Sequence, residues 1–574
     1  MKKFLIGLFT GLVLTILAGV ILLFSVMRLG EGRPKVEDGS TLVLKLDGDI
    51  PEKAPVSFPI PFLGGKPPLT VRDIWSMLHK AAADSRVKAI IVEPSGVHAG
   101  WGKLQEIHAD LLQFKKSGKP LIAFLRRPKT RDYYLATAAD QIYMTPEDYL
   151  DMKGLRAEMM YFKQTLDKVG VSMEVEHIGK YKDFGDMFTE TSSTPETKEV
   201  MNSLLDSIYG DMLRTFAAGR KKEPEQMRAI LDDGPFTGKQ ALAKGLIDKL
   251  RYEDQVYGET KDLLKQSELK KLRVHDYARV SGASLGVEGK KKIALVVGEG
   301  NIVSGSGDDA MGTDEGFSSG AFSKMLREVG NDKNISGVIL RVDSPGGDAI
   351  ASDEMLREVR LLSKKKPMVV SMSDVAASGG YYISMTGDPV LAYAGTYTGS
   401  IGVVFLKPNL RGLYDKLGIQ KDIMARGKNA DIDSDYHPMT PEARAKLRQS
   451  LEDFYKDFVT NVANGRKRRY EEVEPLSQGR VWLGSQAKAQ GLVDEIGGLD
   501  RAVELVKQKA NIRADEKIQL LPYPPKRSLI EQWIKSTSDT SVEGFLRTRL
   551  KGLDYRLWMQ GGVMRIMPYF ISIE

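Results

Sequence analysis

The sequence predicts an α/β protein made of two tandem copies of one domain, each built from stacked strand–helix–strand units, behind an N-terminal transmembrane helix. Three observations predict it. Six segments recur in the same order at a separation that stays between 246 and 252 residues. Short apolar runs alternate with amphipathic stretches such as Ser323–Val329 and Asp353–Leu362. A long uncharged run follows two lysines at the start of the chain.

The repeat is read directly from paired segments. Thr41–Ile50 and Lys292–Ile302 are both strand-like runs with a glycine turn. Val87–Val92 matches Ile335–Leu340, Pro120–Phe124 matches Pro367–Ser371, and Tyr133-Tyr134 matches Tyr381-Tyr382. Gly179–Asp183 matches Gly427–Asp431, and Gly238–Asp248 matches Gly484–Asp494. Chance similarity does not hold register over so many segments. The copies run from 40 to 265 and from 291 to 525, with a linker at 266–290 in a stretch rich in Gly, Ser and Lys. Strand–helix–strand units of this kind cross over right-handed. The tail, 526–574, has no counterpart and carries Trp533, Trp558, Tyr569 and Phe570 among basic residues. It is expected to lie on a membrane, on a neighbouring subunit, or on its own domain.

Lys2 and Lys3 precede the uncharged run Phe4–Met27. As a helix it reaches about 36 Å, enough to cross a bilayer with some tilt. Lysines in front keep that end in the cytoplasm and send the rest across. A cleaved signal peptide is the alternative, but the run ends Ser25-Val26-Met27-Arg28, a poor cleavage site. Residues 1–28 are therefore read as cytoplasmic N-terminus and single-pass anchor.

With 574 residues, 42% hydrophobic and 28% charged, the chain is globular and long enough for several domains. It has no cysteine, which excludes disulfides, a thiolate nucleophile, Cys-ligated metal and a lipidated anchor. The net charge of +7 is a mild excess over this length, and no basic face interleaved with aromatics marks a nucleic-acid partner. Arg466–Arg469 reads as a solvated helix end.

The second copy holds two glycine-rich turns. Asp343-Ser344-Pro345-Gly346-Gly347 follows the strand Gly337–Val342, and paired glycines there let N–H groups converge on a developing negative oxygen. Ala376-Ala377-Ser378-Gly379-Gly380-Tyr381-Tyr382 follows the strand Pro367–Met372 and opens a helix. Small neighbours leave room for a carbonyl at Ser378, and a helix N-terminus favours negative charge on its oxygen. Either turn alone is equally an ordinary strand–helix turn or an N-cap. The first copy decides between these readings. It has Thr130 at the Ser378 position and Glu93-Pro94-Ser95-Gly96-Val97-His98 at the double-glycine turn. A structural turn would be needed in both copies, whereas a catalytic one need survive in only one.

A serine nucleophile needs a base. Of the six histidines, only His275 and His437 fall in or beside the second copy, and neither sits in a small-residue motif. A lysine serves if burial depresses its pKa from about 10.4. The segment Gly179–Asp183 offers Lys182, whose counterpart in the second copy is Ala430, with Lys180 and Lys428 as rivals. Ser400, in Thr398-Gly399-Ser400-Ile401-Gly402-Val403 after the strand Pro389–Tyr393, is the candidate for orienting the lysine.

Together these segments resemble the signal peptide peptidase A, or protease IV, family in its long form. Asp343–Gly347, Ala376–Tyr382 and Thr398–Val403 carry the resemblance, which covers roughly residues 40 to 525. It implies tandem ClpP/crotonase-like domains and a Ser/Lys dyad split between the halves. Ser378 falls on the nucleophile, Lys182 on the general base, Ser400 on the lysine-orienting serine and Gly347, beside Gly346, on the oxyanion hole. The resemblance also implies a membrane-bound serine endopeptidase that degrades cleaved signal peptides. It implies a homotetramer on the extracytoplasmic side of a bacterial inner membrane, with no cofactor. Asp183–Phe188 departs from the family's pattern. Two other readings stay open: a crotonase-like acyl-CoA enzyme, and an inactive membrane scaffold on a peptidase fold.

Overall fold

The apolar runs of the first copy pair as six parallel strands. Their order is Lys249–Leu250, Gln141–Met144, Leu121–Leu125, Val87–His98, Ser40–Asp49 and Lys271–Arg273. A computed structural model describes residues 36–54, 68–305, 316–525, 562–567 and 573, with isolated helical positions at 7, 10, 11, 14, 15 and 19. In the second copy the same order recurs as Glu495–Ile496, Val390–Ala392, Met368–Ala377, Ile335–Ser344, Lys291–Glu299 and Ile518–Tyr523. Both faces are covered, as parallel sheets require. Leu121–Leu125, for instance, is buried at every position.

Helix signals also repeat. Pro195–Arg220 and Pro441–Arg466 each follow a threonine, Thr194 or Thr440, whose side chain accepts the amide hydrogen three residues on. Each ends on a lysine in the left-handed region, Lys221 or Lys467. The helices expected from Ser323 and Asp353 run Ser319–Asn331 and Ala349–Lys365, the latter capped by Asp348.

The stretch read as a linker is largely structured. Lys271–Arg273 forms the edge strand beside Ser40–Asp49, and Val274–Ala278 is a helix whose Val274 and Tyr277 join the first core. Sequence reading missed the strand because it is three residues long and flanked by charge. The first domain therefore extends past 265, and only the segment after Val280 connects the halves. The anchor expected at Phe4–Met27 lies almost wholly outside the described residues, as do Trp533, Trp558, Tyr569 and Phe570. Among the described residues no helix is long and apolar enough to cross a membrane.

A third sheet joins the copies. Its order is Gly316–Ser318, Asn301–Val303, Gly346–Asp348, Gly562–Ile566, Val403–Asn409 and Ser172–Ile178. Ser172–Ile178 of the first half runs antiparallel to Val403–Asn409 of the second, from Val403 opposite Ile178 to Asn409 opposite Ser172. Charge fixes the same face: Lys407 is buried against Glu174 at 3.0 Å, and Arg444 reaches Glu174 and Glu176.

The helix Trp101–Lys115 of the first half lies against the strand Met368–Ala377 of the second. Close approach needs glycine here, since a Cβ on Gly102 would stand 2.7 Å from the Ser373 carbonyl oxygen. Asp374 accepts from the amides of Gly100 and Lys103, both at 2.7 Å, and so caps that helix from the other half. Glu106, on the same helix, accepts from the Leu499 amide at 2.8 Å, at the start of the second-half helix Leu499–Lys509.

Candidate active site

Three backbone features bring the site together. The strand Met368–Ala377 ends at Ser378, which sits ahead of the short helix Gly379–Ile383 with φ 52° and ψ −114°. A non-glycine residue in that region costs of order 1–3 kcal/mol, and such strain clusters at functional sites. The Gly399 carbonyl holds it by accepting the Ser378 amide at 2.8 Å. The short strand Tyr397–Gly399 then delivers Ser400, also left-handed at φ 51°. Ser400 thus follows this strand rather than the expected Pro389–Tyr393, observed as Val390–Ala392. Finally, the pairing of Ser172–Ile178 with Val403–Asn409 puts residues just past Ile178 beside residues just before Val403. Lys182 and Ser400 meet for that reason. The loop at Gln478-Gly479 closes behind: Tyr181 donates to the Gln478 carbonyl at 2.7 Å, and a Cβ on Gly479 would overlap the Lys182 backbone.

Lys182 Nζ lies 2.8 Å from Ser378 Oγ, 2.9 Å from Ser400 Oγ and 3.0 Å from the Ser400 carbonyl oxygen. All three residues are completely buried. Burial holds the lysine amine well below its ordinary range, the Asp183 carboxylate opposes that, and the Arg565 guanidinium reinforces it. A neutral amine has two hydrogens and one lone pair. With both hydrogens given to Ser400, the lone pair faces the Ser378 hydroxyl.

The rivals lie elsewhere. Lys180 is exposed and within 3.8 Å of Glu196, and Lys428 is exposed on a loop, as is Ala430. Among the described residues no histidine is hydrogen-bonded to Ser378; His437 is 3.4 Å from Asp431 and His108 bonds Thr137.

Gly346 and Gly347 have φ of 102° and 152°. Gly346 packs on Gly379, since a Cβ on Gly346 would stand 2.7 Å from the Gly379 nitrogen. Gly379 places a further backbone amide beside the serine, one that sequence reading left out. As the first residue of its helix, its N–H has no intrahelical partner, and it follows the serine directly. Its position after a strand-end serine was the available signal. Gly347 lies in the ladder opposite Ile302, and a Cβ there would stand 2.1 Å from the Ile302 carbonyl oxygen. Gly347→Ala is therefore expected to lower kcat by about 10²–10³, by moving this turn and its N–H groups, with stability falling by about 1–3 kcal/mol. Steady-state kinetics and a thermal melt check both.

The first copy has closed the equivalent place. Thr130 begins the helix Thr130–Ala136, and buried Asp132 accepts from the amides of Val97 at 3.0 Å and Lys129 at 2.9 Å. One carboxylate thus takes a donor from each of the two turns that correspond to the double-glycine turn and the Ser378 turn of the second copy.

A strained serine at a strand–helix turn, with a buried lysine amine 2.8 Å from its hydroxyl and helix-start amides beside it, defines a serine hydrolase site. Comparison with known proteins specifies the class. The model for Peptidase family S49 matches residues 113–267 and 360–513, more than half of the chain. The chain is 34% identical over 538 residues to "Serine protease SPPA, chloroplastic" of Arabidopsis thaliana, covering 93% of this chain and 78% of that one. It is 31% identical over 458 residues to "Protease 4" of Salmonella typhi, covering 77% and 72%. A solved ClpP1 variant from Listeria monocytogenes matches with a TM-score of 0.21 at 14% identity, over 37% of this chain and 95% of that chain. The chain belongs to peptidase family S49, as a long form with two such domains, and is a serine peptidase.

Proposed function

We propose that this peptidase is an endopeptidase working through a Ser378/Lys182 dyad whose members come from different halves of the chain. One observation carries the reading: the 2.8 Å approach of Lys182 Nζ to Ser378 Oγ in a fully buried setting. Ser378 Oγ attacks the substrate carbonyl carbon while Lys182 takes its proton. Ser400 holds the amine in line through its hydroxyl and carbonyl. The N–H groups of Gly379 and Gly347 receive the oxyanion, while that of Gly346, also expected there, is given to the Ser344 hydroxyl at 3.2 Å. The Lys182 ammonium then protonates the leaving amine, and water, deprotonated by the same lysine, hydrolyses the acyl-enzyme.

The substrates are cleaved signal peptides and similar apolar segments. The enzyme is a homotetramer anchored by Phe4–Met27 in a bacterial inner membrane, with both domains extracytoplasmic. Two lysines before an uncharged run support the anchor and its orientation. An inactive scaffold predicts a different outcome in one experiment. Ser378 of the purified chain is expected to be acylated or phosphonylated by a serine-reactive probe, and the chain to cleave an apolar peptide. Both signals are lost in Ser378→Ala. Wild-type protein that neither labels nor cleaves points to the scaffold.

A further inference from the structure

Lys182 is not the one lysine of the first half that reaches into the second. Lys103 is the third residue of the helix Trp101–Lys115, and the third residue of the matching helix Ala349–Lys365 is Ala351. The pattern is that of Lys182 and Ala430: a lysine in the first half, an alanine at its counterpart, and a side chain that serves the other half.

Lys103 is buried, and its ammonium lies 2.7 Å from Asp343, 3.7 Å from Asp374 and 4.0 Å from Glu299, all in the second half. Burial opposes the charge, but the carboxylates of Asp343, Asp374, Glu52 and Glu299 outweigh it and hold the amine protonated, above its ordinary range. Unlike Lys182, this lysine is a fixed cation and exchanges no proton.

The ammonium sits where two strands of the site leave their regular ladder. Ile335–Ser344 and Met368–Ala377 pair evenly from Val338 with Met368 to Val342 with Met372, then slip before Ser344 meets Ala376. Asp343 on one strand is thereby left opposite Ser373, Asp374 and Val375 on the other, a bulge of the kind that re-aims residues beside a site. Asp343 closes it: Oδ1 accepts from the Val375 amide at 3.0 Å, and Oδ2 accepts from Lys103. The Asp343 carbonyl accepts from the Gly300 amide at 2.9 Å. Past the bulge, Gly347 is four residues beyond Asp343, and Ser378 is three residues beyond Val375. A shift of Asp343 against Val375 therefore changes the distance between the Gly347 N–H and Ser378 Oγ.

We propose that Lys103 is a positioning residue for the reaction: by clamping Asp343 and Asp374 from the first half, it sets the Gly347 oxyanion donor against Ser378. This rests on the peptidase reading above. A bound peptide held by its flanking residues does not depend on that distance, whereas the tetrahedral state does. A misplacement of about 1 Å there costs about 10²-fold in rate.

Lys103→Met is expected to lower kcat by about 10²-fold with KM changed by less than about threefold. A peptide aldehyde, which Ser378 converts to a tetrahedral adduct, is expected to lose affinity by about the same factor, while the matching peptide amide keeps its affinity. Removing the ammonium strands a carboxylate, so Lys103→Met/Asp374→Asn is measured beside it. That double change removes one charge of each sign and leaves the cluster with its original net charge. It is expected to regain most of the wild-type stability in urea and to keep the low kcat, because Asp343 still lacks its ammonium. It also decides the matter if the single variant does not fold. A folded Lys103→Met with kcat within about threefold of wild type overturns the inference, as does a kcat that returns together with stability in the double variant. Both results leave the peptidase reading standing. Wild-type protein that cleaves no peptide and takes no serine-reactive probe removes the peptidase reading, and the inference with it.

Discussion

Lys182→Met is expected to lower kcat by about 10⁴-fold or more while leaving the protein folded, because serine and base act as a unit. The pH dependence separates a base from a structural lysine. In the proposed dyad Ser378 is activated only by the neutral amine, so kcat/KM of the wild type is expected to rise with pH through a pKa well below the usual lysine range. Stability moves in the same direction as activity. The folded pKa lies below the unfolded value, so between the two the unfolded chain binds more protons and folding is penalised. The penalty is full below the folded pKa and fades as pH rises toward about 10.4. Lys182→Met removes it, and about 0.5–2 kcal/mol of added stability at neutral pH is expected, vanishing at high pH. Denaturant titrations at two pH values, beside peptide kinetics, test both halves of the prediction. A variant that keeps its activity would move the base elsewhere.

Arg341→Met is expected to be the most destabilising single change in the core, at about 3–5 kcal/mol. Arg341 stands completely buried on the strand that leads into Asp343–Gly347. It is 2.7 Å from Glu52 and 2.5 Å from Glu106, both from the first half, and also donates to Ser371. Removing the guanidinium leaves two buried acidic side chains facing each other without the cation that pairs them directly. Next to it, Lys103 of the first half lies 2.7 Å from Asp343 and 3.7 Å from Asp374 of the second. Asp343 begins the oxyanion turn and Asp374 lies four residues before Ser378. Loss of Arg341 is therefore expected to loosen the junction between halves and lower kcat together with stability. The triple change Arg341→Met, Glu52→Gln, Glu106→Gln is expected to recover much of the stability, since it removes the stranded charge. Urea unfolding of the single and triple variants decides it. A single variant within 1 kcal/mol of wild type would mean water reaches the cluster.

Much of this was legible in the chain itself. The repeated strands are apolar runs of ordinary length, and their near-constant spacing exposes the duplication. Ser378 and Lys182 were readable because each sits in a motif whose copy in the other half has changed, and Ser400 because it sits in a glycine-bearing turn after a strand. The edge strand Lys271–Arg273 was not readable, being too short to show a period. Gly379 was passed over because its contribution is a backbone N–H, which no residue type announces. The tail strand was hidden for another reason: Gly562–Ile566 has no counterpart in the repeat, and its value lies in what it pairs with.

By itself, then, the sequence determined the duplicated α/β architecture, the nucleophile's turn and which half had lost it. Those follow from local chemistry: apolar periodicity, glycine where φ must be positive, and small residues around a reactive oxygen. Only the tertiary structure decided that Lys182 rather than Lys180 or Lys428 reaches Ser378. That choice depends on one antiparallel register between Ser172–Ile178 and Val403–Asn409, and a shift of a single residue would turn the opposite face of the strand inward. It also decided that a tail strand fills the groove beside the serine. Pairing between segments far apart in sequence is set by the whole fold.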